Sequence, residues 1–268
     1  MPKGKNHQKM SLLLYGPEGT GKTFLAGAFL ESVEEVKRKG YATLNANALL
    51  AEPTRLENIP KALLQFEAPY LLIEGVDLLF QELGQFPASR RALLDALGAN
   101  SPITVIATSR YPEKLKAEEV AAFMHIIPLM FPSAEDREAL LRHAARANEA
   151  TISTLVEKTE WWTPKEVLEF GREVSHDFSP TAIEAALARH GRSVNVPHRK
   201  RTAAQLVEFT MSHCTEPKLR EELQQRFGKK TLEELENSVE LKPGLFGVSV
   251  DLKKLLRAIQ KVVRGHAS

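Results

Sequence analysis

The chain has 268 residues, with 36 lysines and arginines against 34 aspartates and glutamates, so its net charge of +2 excludes a strongly basic or strongly acidic protein. Hydrophobic residues make up 43% and charged residues 26%, as in globular proteins, and no apolar run reaches the ~20 residues that a transmembrane helix needs. Cys214 is the only cysteine, which excludes an intramolecular disulfide, and we expect a cytoplasmic protein.

The N-terminal half alternates short apolar runs with amphipathic segments. The apolar runs predict strands, and these cover residues 12–15, 41–44, 70–73, 103–108 and 123–129. The segments between them predict helices, which cover residues 22–39, a stretch from Pro60 onward, and residues 89–97. Strands that alternate with helices indicate an α/β fold with a parallel sheet, whose ligand is expected at the carboxyl ends of the strands.

One stretch in this half has a specific chemistry. Residues 16–23, GPEGTGKT, fit the phosphate-binding pattern G-x-x-x-x-G-K-[ST] and stand between a predicted strand and a predicted helix, as that motif requires. Glycines let backbone N–H groups point at phosphate oxygens, and the helix N-terminus adds partial positive charge. The residues predicted to bind phosphates are Gly16, Pro17, Glu18, Gly19, Thr20, Gly21, Lys22 and Thr23. Lys22 is expected to reach the β- and γ-phosphates, and the Thr23 hydroxyl to hold Mg²⁺.

Polar residues also follow two of the predicted strands. Glu74 and Asp77 come directly after strand 70–73, and Thr108 and Ser109 end strand 103–108. Because the carboxyl ends of parallel strands form the edge where a ligand binds, these side chains are candidates for contacting a bound nucleotide.

After Pro132 the chain becomes helical. The predicted helix starts share a capping residue or an early proline, and they lie at Ser133, Thr163, Ser179, Thr202, Pro217, Thr231 and Asp251. Residues 192–201 are predicted to form a basic linker. We therefore expect three parts, which are a nucleotide-binding α/β core over residues 1–132, a helical lid over 133–200 and a helical C-terminal extension over 201–268.

Several segments resemble the AAA family of ATPases. Residues 14–23, LYGPEGTGKT, are similar to the family's LLYGPPGTGKT, and residues 68–77, APYLLIEGVD, resemble its Walker B segment AP-hhhhDEID. Residues 104–110, TVIATSR, resemble the sensor-1 strand, and residues 123–141 and 159–168 resemble segments leading into and within the lid. The resemblance implies a P-loop NTPase core with a C-terminal all-α lid. It also implies ATP and Mg²⁺ bound between the two parts, and subunits that form a homo- or hetero-oligomeric ring or partial ring.

The chain departs from the family at catalytic positions. Where the family has an Asp that holds Mg²⁺ and a Glu that activates water, this chain has Glu74 and Gly75. Glu74 is expected to contact Mg²⁺ through a water, whereas Gly75 has no side chain, and loss of a positioned base typically costs ~10²–10⁴-fold in rate. Asp77 is a candidate substitute, and Ser109 replaces the sensor-1 asparagine. The candidate catalytic residues are therefore Glu74, Asp77 and Ser109, and the candidate metal ligands are Thr23 and Glu74.

Other family features are weak or missing. Residues 114–122, where the family carries arginine fingers, contain no arginine, and only Lys114, Lys116 or Arg110 remain as weak substitutes. Lys165 falls where some relatives place a basic sensor-2 residue that contacts the phosphates, with an exposed lysine as the competing interpretation. Trp161 and Trp162 are candidates to stack on adenine, and in the competing interpretation one of them packs in the lid core while the other is half exposed.

The sequence therefore predicts an ATP-binding module that hydrolyses ATP to drive conformational change of a protein assembly. Two alternatives stay open. Gly75 and the missing arginine finger favour an ATP-gated scaffold, or a subunit of a larger complex, that binds ATP without hydrolysing it. The basic clusters at residues 198–201 and 228–230 favour a helper or loader ATPase that acts on nucleic acid, although a solvated linker explains them as well. A protein partner is expected, and a membrane partner is not.

Overall fold

The computed structural model describes residues 10–52, 54–65, 67–98, 100–145 and 147–227. Within them five strands form an all-parallel sheet in the order β2-β3-β4-β1-β5. The strands are β1 (Ser11–Tyr15), β2 (Ala42–Asn45), β3 (Tyr70–Glu74), β4 (Thr104–Ser109) and β5 (His125–Pro128). The predicted α/β fold with a parallel sheet is confirmed, and every predicted strand is present.

Strand β1 lies inside the sheet and is buried on both faces. It pairs with β4 on one side and with β5 on the other. Leu13 and Tyr15 pack into the core on one face, whereas Leu12 and Leu14 pack into the core on the opposite face. Burial on both faces explains why this strand is a continuous apolar run and does not alternate with polar residues.

The helices of the first 130 residues connect the strands and cover both faces of the sheet. They are α1 (Lys22–Glu31), α2 (Glu34–Lys39), α3 (Ala46–Leu50), α4 (Thr54–Glu57), α5 (Ile59–Leu64), α6 (Val76–Glu82), α7 (Pro87–Leu97) and α8 (Ala117–Ala121), with 3₁₀ turns at Leu83–Gln85 and Pro112–Lys114. The prediction of one helix over residues 22–39 is wrong, because Val33 is extended with φ −91° and ψ 120° and separates α1 from α2.

The remaining described residues form helices only. They are α9 (Ala134–Ala145), α10 (Glu149–Lys158), α11 (Pro164–Val174), α12 (Pro180–Gly191), α13 (Val196–His213) and α14 (Pro217–Phe227). The capping box predicted at Thr163 is confirmed, since its hydroxyl accepts from the Glu166 N–H while the Glu166 carboxylate accepts from the Thr163 N–H. Helices α9 to α12 share an apolar core that includes Leu141, Leu155 and Phe170.

Helix α13 begins earlier than predicted. The predicted linker over residues 192–201 and the predicted helix start at Thr202 are wrong, because Asn195 caps a helix that already begins at Val196. Proline 197 fits the first turn of this helix, where its missing N–H is not needed. The boundary predicted between lid and extension, at residue 200, falls inside α13, and the division into three domains stays a prediction.

Helix α13 also returns to the α/β core. The Tyr15 hydroxyl and the Thr210 hydroxyl form a buried hydrogen bond of 2.6 Å, and Phe209 packs edge-on against the Tyr15 ring. The helices predicted to start at Thr231 and Asp251, and the basic cluster at residues 228–230, lie outside the described residues. In the part of the chain that is described, no helix has both the length and the apolarity to cross a bilayer.

Candidate nucleotide-binding site

A cleft of about 1050 Å³ lies between the carboxyl edge of the sheet and helices α9 and α11. One wall contains loop residues 18–23 and the residues at the ends of β2, β3 and β4. The opposite wall is largely apolar and includes Leu129, Met130, Phe131, Ala139, Leu140 and Leu168. The cleft thus combines a polar wall built by the predicted phosphate-binding loop with an apolar wall able to cover an aromatic ring.

Lys22 lies at the base of this loop. Its side chain is buried, and its Nζ donates to the carbonyl oxygens of Gly16 at 2.7 Å and Pro17 at 2.6 Å. Burial and, to a smaller extent, the nearby Arg110 guanidinium lower the pKa of Lys22, while Asp77 and Glu18 act in the opposite direction, and the resulting pKa is about 8. The pKa of Lys22 therefore depends on the charges of the acidic and basic side chains around the cleft. Thr23, the next residue, is exposed on the cleft wall.

The loop is in direct contact with the start of α11. The Lys165 N–H donates to the Gly19 carbonyl at 3.2 Å, and a Cβ added at Gly19 would lie 2.8 Å from the Thr163 hydroxyl. With φ +79°, Gly19 also adopts a left-handed conformation that other residues rarely take. Glycine here allows the helical part of the chain to approach the loop closely.

Lys165 belongs to this contact and lines the cleft. Its side chain is 66% exposed, and its Nζ lies 3.9 Å from a carboxylate oxygen of Glu169, one helical turn later. The structure thus places the predicted sensor-2 lysine beside the phosphate-binding loop. Its contact with phosphate stays a prediction.

Glu74, at the end of β3, is held by a residue that the sequence did not single out. Its Oε2 accepts a hydrogen bond of 2.5 Å from the Asn45 side-chain amide, and Asn45 pairs in register with Glu74 at the end of the neighbouring strand β2. The Asn45 Oδ1 also accepts from the Ala48 N–H and so caps α3. A single amide therefore fixes the orientation of the Glu74 carboxylate and the start of a helix.

Thr23 and Glu74 both line the cleft, as their predicted role requires. Hydroxyl and carboxylate oxygens are the ligands that Mg²⁺ prefers, and among the described residues only one oxygen of the Glu74 carboxylate accepts a hydrogen bond. The chemistry of these donors therefore fits Mg²⁺. Among the described residues no cluster of three or more His, Cys, Asp and Glu side chains forms a separate metal site.

Gly75 forms the turn from β3 into α6. It has φ 75° and ψ 46°, a left-handed conformation, and its N–H donates to the Thr108 carbonyl at 3.0 Å. A Cβ at this position would lie 3.3 Å from the Ala46 Cβ. Position 75 is therefore a backbone turn that favours glycine, in addition to being a position without a catalytic side chain.

Asp77 and Ser109 are buried beside the cleft, each with a side-chain oxygen that has no partner. Among the described residues the Asp77 Oδ1 and the Ser109 Oγ are the fully buried side-chain polar atoms without a hydrogen bond. The other Asp77 oxygen, Oδ2, accepts from the Tyr111 N–H at 3.2 Å. Buried polar atoms without a partner are costly, and they often occur at functional sites.

The two residues differ in their access to the cleft. Asp77 belongs to the cleft wall, whereas Ser109 does not, although its neighbours Thr108 and Arg110 do. Thr108 pairs in register with Glu74, so their side chains lie on the same face of the sheet. Ser109, which pairs with Tyr15, has its side chain on the opposite face. The catalytic roles predicted for Glu74, Asp77 and Ser109 stay predictions.

Two of the three cations considered as arginine-finger substitutes have side-chain partners within the chain. Arg110 forms an ion pair with Glu18 of the loop, with an Nη1 to Oε2 distance of 2.8 Å, and the Lys114 ammonium lies 4.4 Å from the centre of the Tyr111 ring. Lys116 contributes a backbone contact, in which its main-chain N–H donates to the Glu119 carboxylate at the start of α8. Arg110 is therefore the one of these three that lines the cleft.

The two tryptophans pack in the interior, and neither lines the cleft. Trp162 packs edge-on against Phe170 in the core of α9 to α12. Trp161 packs edge-on against Phe131 and has φ 65°, the one positive φ of a non-glycine residue in the part of the chain that is described. The prediction that one tryptophan packs in the lid core is confirmed by Trp162, whereas the prediction that the other is half exposed is wrong, because Trp161 is buried as well.

The basic cluster at residues 198–201 is partly used inside the protein. Arg199 donates two hydrogen bonds of 2.7 Å to the two carboxylate oxygens of Glu166, and its Nη1 also donates to the Trp161 carbonyl at 2.6 Å. The Lys200 ammonium lies 5.9 Å from the Trp161 ring. These contacts tie α13 to the first turn of α11, next to the loop, and leave less free positive charge at this surface.

Comparison with known proteins agrees with this geometry. Residues 12–129 match the model of the family described as "ATPase family associated with various cellular activities (AAA)". No curated protein sequence matches the chain.

Solved structures of similar fold include the FIGL-1 AAA domain in complex with ADP, with a TM-score of 0.55 and 16% identity over 77% of this chain and 79% of that chain. A second crystal structure of the FIGL-1 AAA domain has a TM-score of 0.50 and 16% identity over 70% of this chain and 72% of that chain. A structure that describes katanin self-assembly has a TM-score of 0.51 and 16% identity over 72% of this chain and 74% of that chain. At this identity the likeness shows the fold, an AAA-type α/β domain followed by helices.

Proposed function

We propose that this chain, whose residues 12–129 form an AAA-family domain, binds ATP with Mg²⁺ in the cleft and couples the bound nucleotide to a change in a protein assembly. The observation that carries the proposal is the placement of Lys22, buried at the base of a glycine-rich loop that opens into a cleft of about 1050 Å³. Loop, lysine and cleft occur in the arrangement that phosphate-binding loops use.

In this proposal the phosphates lie along residues 16–23, where backbone N–H groups and the start of α1 supply positive potential. Lys22, which now donates to two loop carbonyls, donates instead to the β- and γ-phosphates. The apolar wall of Leu129, Phe131 and Leu168 covers the base, and Lys165 approaches the phosphates from α11. Nucleotide would therefore bridge the core and the helical part.

Thr23 and Glu74 are the proposed ligands of Mg²⁺, directly or through water. When bound, the ion would supply positive charge that neutralises the phosphates. The protein's own contribution is to hold the Glu74 carboxylate in one orientation through the 2.5 Å hydrogen bond from Asn45.

Hydrolysis, where it occurs, requires a group that orients the attacking water. Glu74 and Asp77, the cleft carboxylates that follow β3, are proposed for this role, together with the buried Ser109 hydroxyl. The absence of a side chain at Gly75 predicts slow turnover, and it favours the second candidate function, an ATP-gated scaffold or subunit that holds ATP without hydrolysing it. As part of the proposal, the protein is cytoplasmic and acts as a homo- or hetero-oligomer with a protein partner.

The test combines ATP binding with phosphate release. Binding of Mg·ATP is measured by isothermal titration, and phosphate release is measured over a range of protein concentrations, for the wild type, Lys22→Ala and the matched control Lys37→Ala. Lys37 is an exposed lysine that pairs with Glu34 outside the cleft. We expect ATP binding that is lost in Lys22→Ala and kept in Lys37→Ala.

The phosphate measurement separates the two candidate functions. Lys22-dependent release that rises with protein concentration supports an assembling ATPase. Lys22-dependent binding without release supports the scaffold. Binding that is equal in the wild type and Lys22→Ala would refute the proposed site.

A further inference from the structure

An ion pair crosses the phosphate end of the cleft. The Arg110 guanidinium, from the residue after β4, contacts the carboxylate of Glu18, the third residue of the loop, at 2.8 Å. Both side chains line the cleft and both are largely solvent-accessible, with 45% of Arg110 and 69% of Glu18 exposed. Neither is fixed by burial, so each is free to change partner.

The pair stands next to the loop lysine. Lys22 donates to the carbonyls of Gly16 and Pro17, the two residues directly before Glu18. Arg110 is close enough to disfavour the protonated form of Lys22, and Glu18 is close enough to favour it. If Lys22 reaches the β- and γ-phosphates, then Glu18 and Arg110 flank the place of the terminal phosphate.

The cations around the cleft divide into two groups. Among the described residues in its walls, Lys165 and Arg172 belong to α11, while Lys22 and Arg110 belong to the α/β core. Arg110 is therefore the core side chain, besides Lys22, that can add positive charge to the phosphates. A guanidinium is suited to this because its planar N–H groups match two phosphate oxygens at once.

We infer that Arg110 distinguishes nucleoside triphosphates from diphosphates by exchanging the Glu18 carboxylate for the γ-phosphate, with Glu18 as a competing anion that weakens the exchange. The inference rests on the proposed ATP binding and names which feature of the nucleotide the site senses. Exposed ion pairs are weak, so giving up Glu18 costs little, whereas a charge-assisted contact with a phosphate is roughly twice as strong as a neutral hydrogen bond. ADP lacks the γ-phosphate and leaves the Arg110–Glu18 pair intact.

The test is the ratio of ATP to ADP affinity in matched variants. Dissociation constants for Mg·ADP and for a non-hydrolysable Mg·ATP analogue are measured by isothermal titration on the full chain. We expect Arg110→Ala to weaken the ATP analogue by about tenfold, the strength of one charged hydrogen bond, and to change ADP affinity by less than about twofold. Glu18→Gln should strengthen the ATP analogue by up to about fivefold, the strength of an exposed ion pair, and leave ADP unchanged.

Two further variants sharpen the result. Arg91→Ala removes an exposed arginine that pairs with Asp95 outside the cleft, and it should leave both affinities unchanged. Arg110→Lys keeps the charge but lacks the planar fork, and it should fall between the wild type and Arg110→Ala for the ATP analogue alone.

The outcomes separate this inference from the proposed function. Equal weakening of ATP and ADP in Arg110→Ala, or no gain of ATP affinity in Glu18→Gln, overturns the inference while nucleotide binding stands. A wild type that binds neither nucleotide overturns both the proposed function and the inference.

Discussion

Replacing Gly75 tests whether one substitution can restore the glutamate that the AAA family has at this position. Gly75 has φ 75° and ψ 46°, and a Cβ there would lie 3.3 Å from the Ala46 Cβ and 3.7 Å from the Leu78 Cδ1. The left-handed conformation costs an L-residue about 1–2 kcal/mol, and the contact with Ala46 requires a small shift of α3. We therefore expect Gly75→Glu to lower the free energy of unfolding by about 1–2 kcal/mol, a fall in Tm of about 2–8 °C.

Urea and thermal unfolding of Gly75→Glu, Gly75→Ala and Gly75→Asn separate backbone strain from side-chain effects. Alanine and glutamate share the strain, whereas asparagine tolerates the left-handed region and should lose less stability. A Gly75→Ala variant as stable as the wild type would refute this reasoning.

The same variant tests the account of catalysis. Phosphate release by Gly75→Glu, and by the double variant Glu74→Asp with Gly75→Glu, is measured below the unfolding transition. If the missing carboxylate limits turnover, both variants should release phosphate faster than the wild type. Folded variants without a gain would show that the missing side chain does not limit turnover.

Three further predictions concern single contacts. In the folded protein Lys22 has a pKa of about 8, below its ordinary value of 10.5, so ATP affinity should stay level below pH 8 and fall by up to about tenfold per pH unit above it. Protein stability should rise from pH 8 toward 10.5, because the cost of the buried charge disappears as the lysine loses its proton. Titration of ATP at pH 7 to 9.5 checks this, and an ATP affinity that stays level over that range contradicts it. Asn45→Ala and Glu74→Ala should be coupled by about 1 kcal/mol in a double-mutant cycle of urea unfolding, and additive effects would contradict the hydrogen bond between them. Burial raises the pKa of Glu166, but the hydrogen bonds from Arg199 and the Thr163 N–H outweigh burial, and the net pKa is lowered. The stability that Arg199 contributes is therefore present at neutral pH and is lost as pH falls through that lowered pKa. The stability difference between Arg199→Met and the wild type, about 2 kcal/mol at pH 7, should shrink in acid, and a constant difference would contradict this.

The strands and the starts of α9, α11, α12 and α14 could be predicted from the sequence because their signals are local, whereas α10 is not predicted. Buried parallel strands are apolar runs, and the helix that begins at Pro164 carries its capping box in four consecutive residues. Short helices such as α3 and α4 have too few residues to show a period, so the sequence does not predict them. The predicted start of α13 is too late because the basic residues 198–201 are typical of a linker, whereas Arg199 is bound by Glu166 within the fold.

The candidate site also contains residues that could be predicted from the sequence and contacts that could not. The phosphate-binding loop is contiguous, so its residues could be named from the sequence, but the partners of Glu74 and Glu18 depend on which strands are neighbours. Asn45 contacts Glu74, 29 residues later, only because β2 and β3 pair in register, and sheet order is not written in any local pattern.

Gly75 shows how both kinds of information meet at one residue. The sequence alone marks it as a missing carboxylate, and the structure shows that the same residue makes a left-handed turn from β3 into α6, with its N–H bound to the Thr108 carbonyl. These two descriptions constrain each other, since a glutamate at this position requires either a strained backbone or a different turn. A restored carboxylate would therefore act from a changed β3–α6 connection, and an increase in turnover in Gly75→Glu should be accompanied by the loss of stability predicted above.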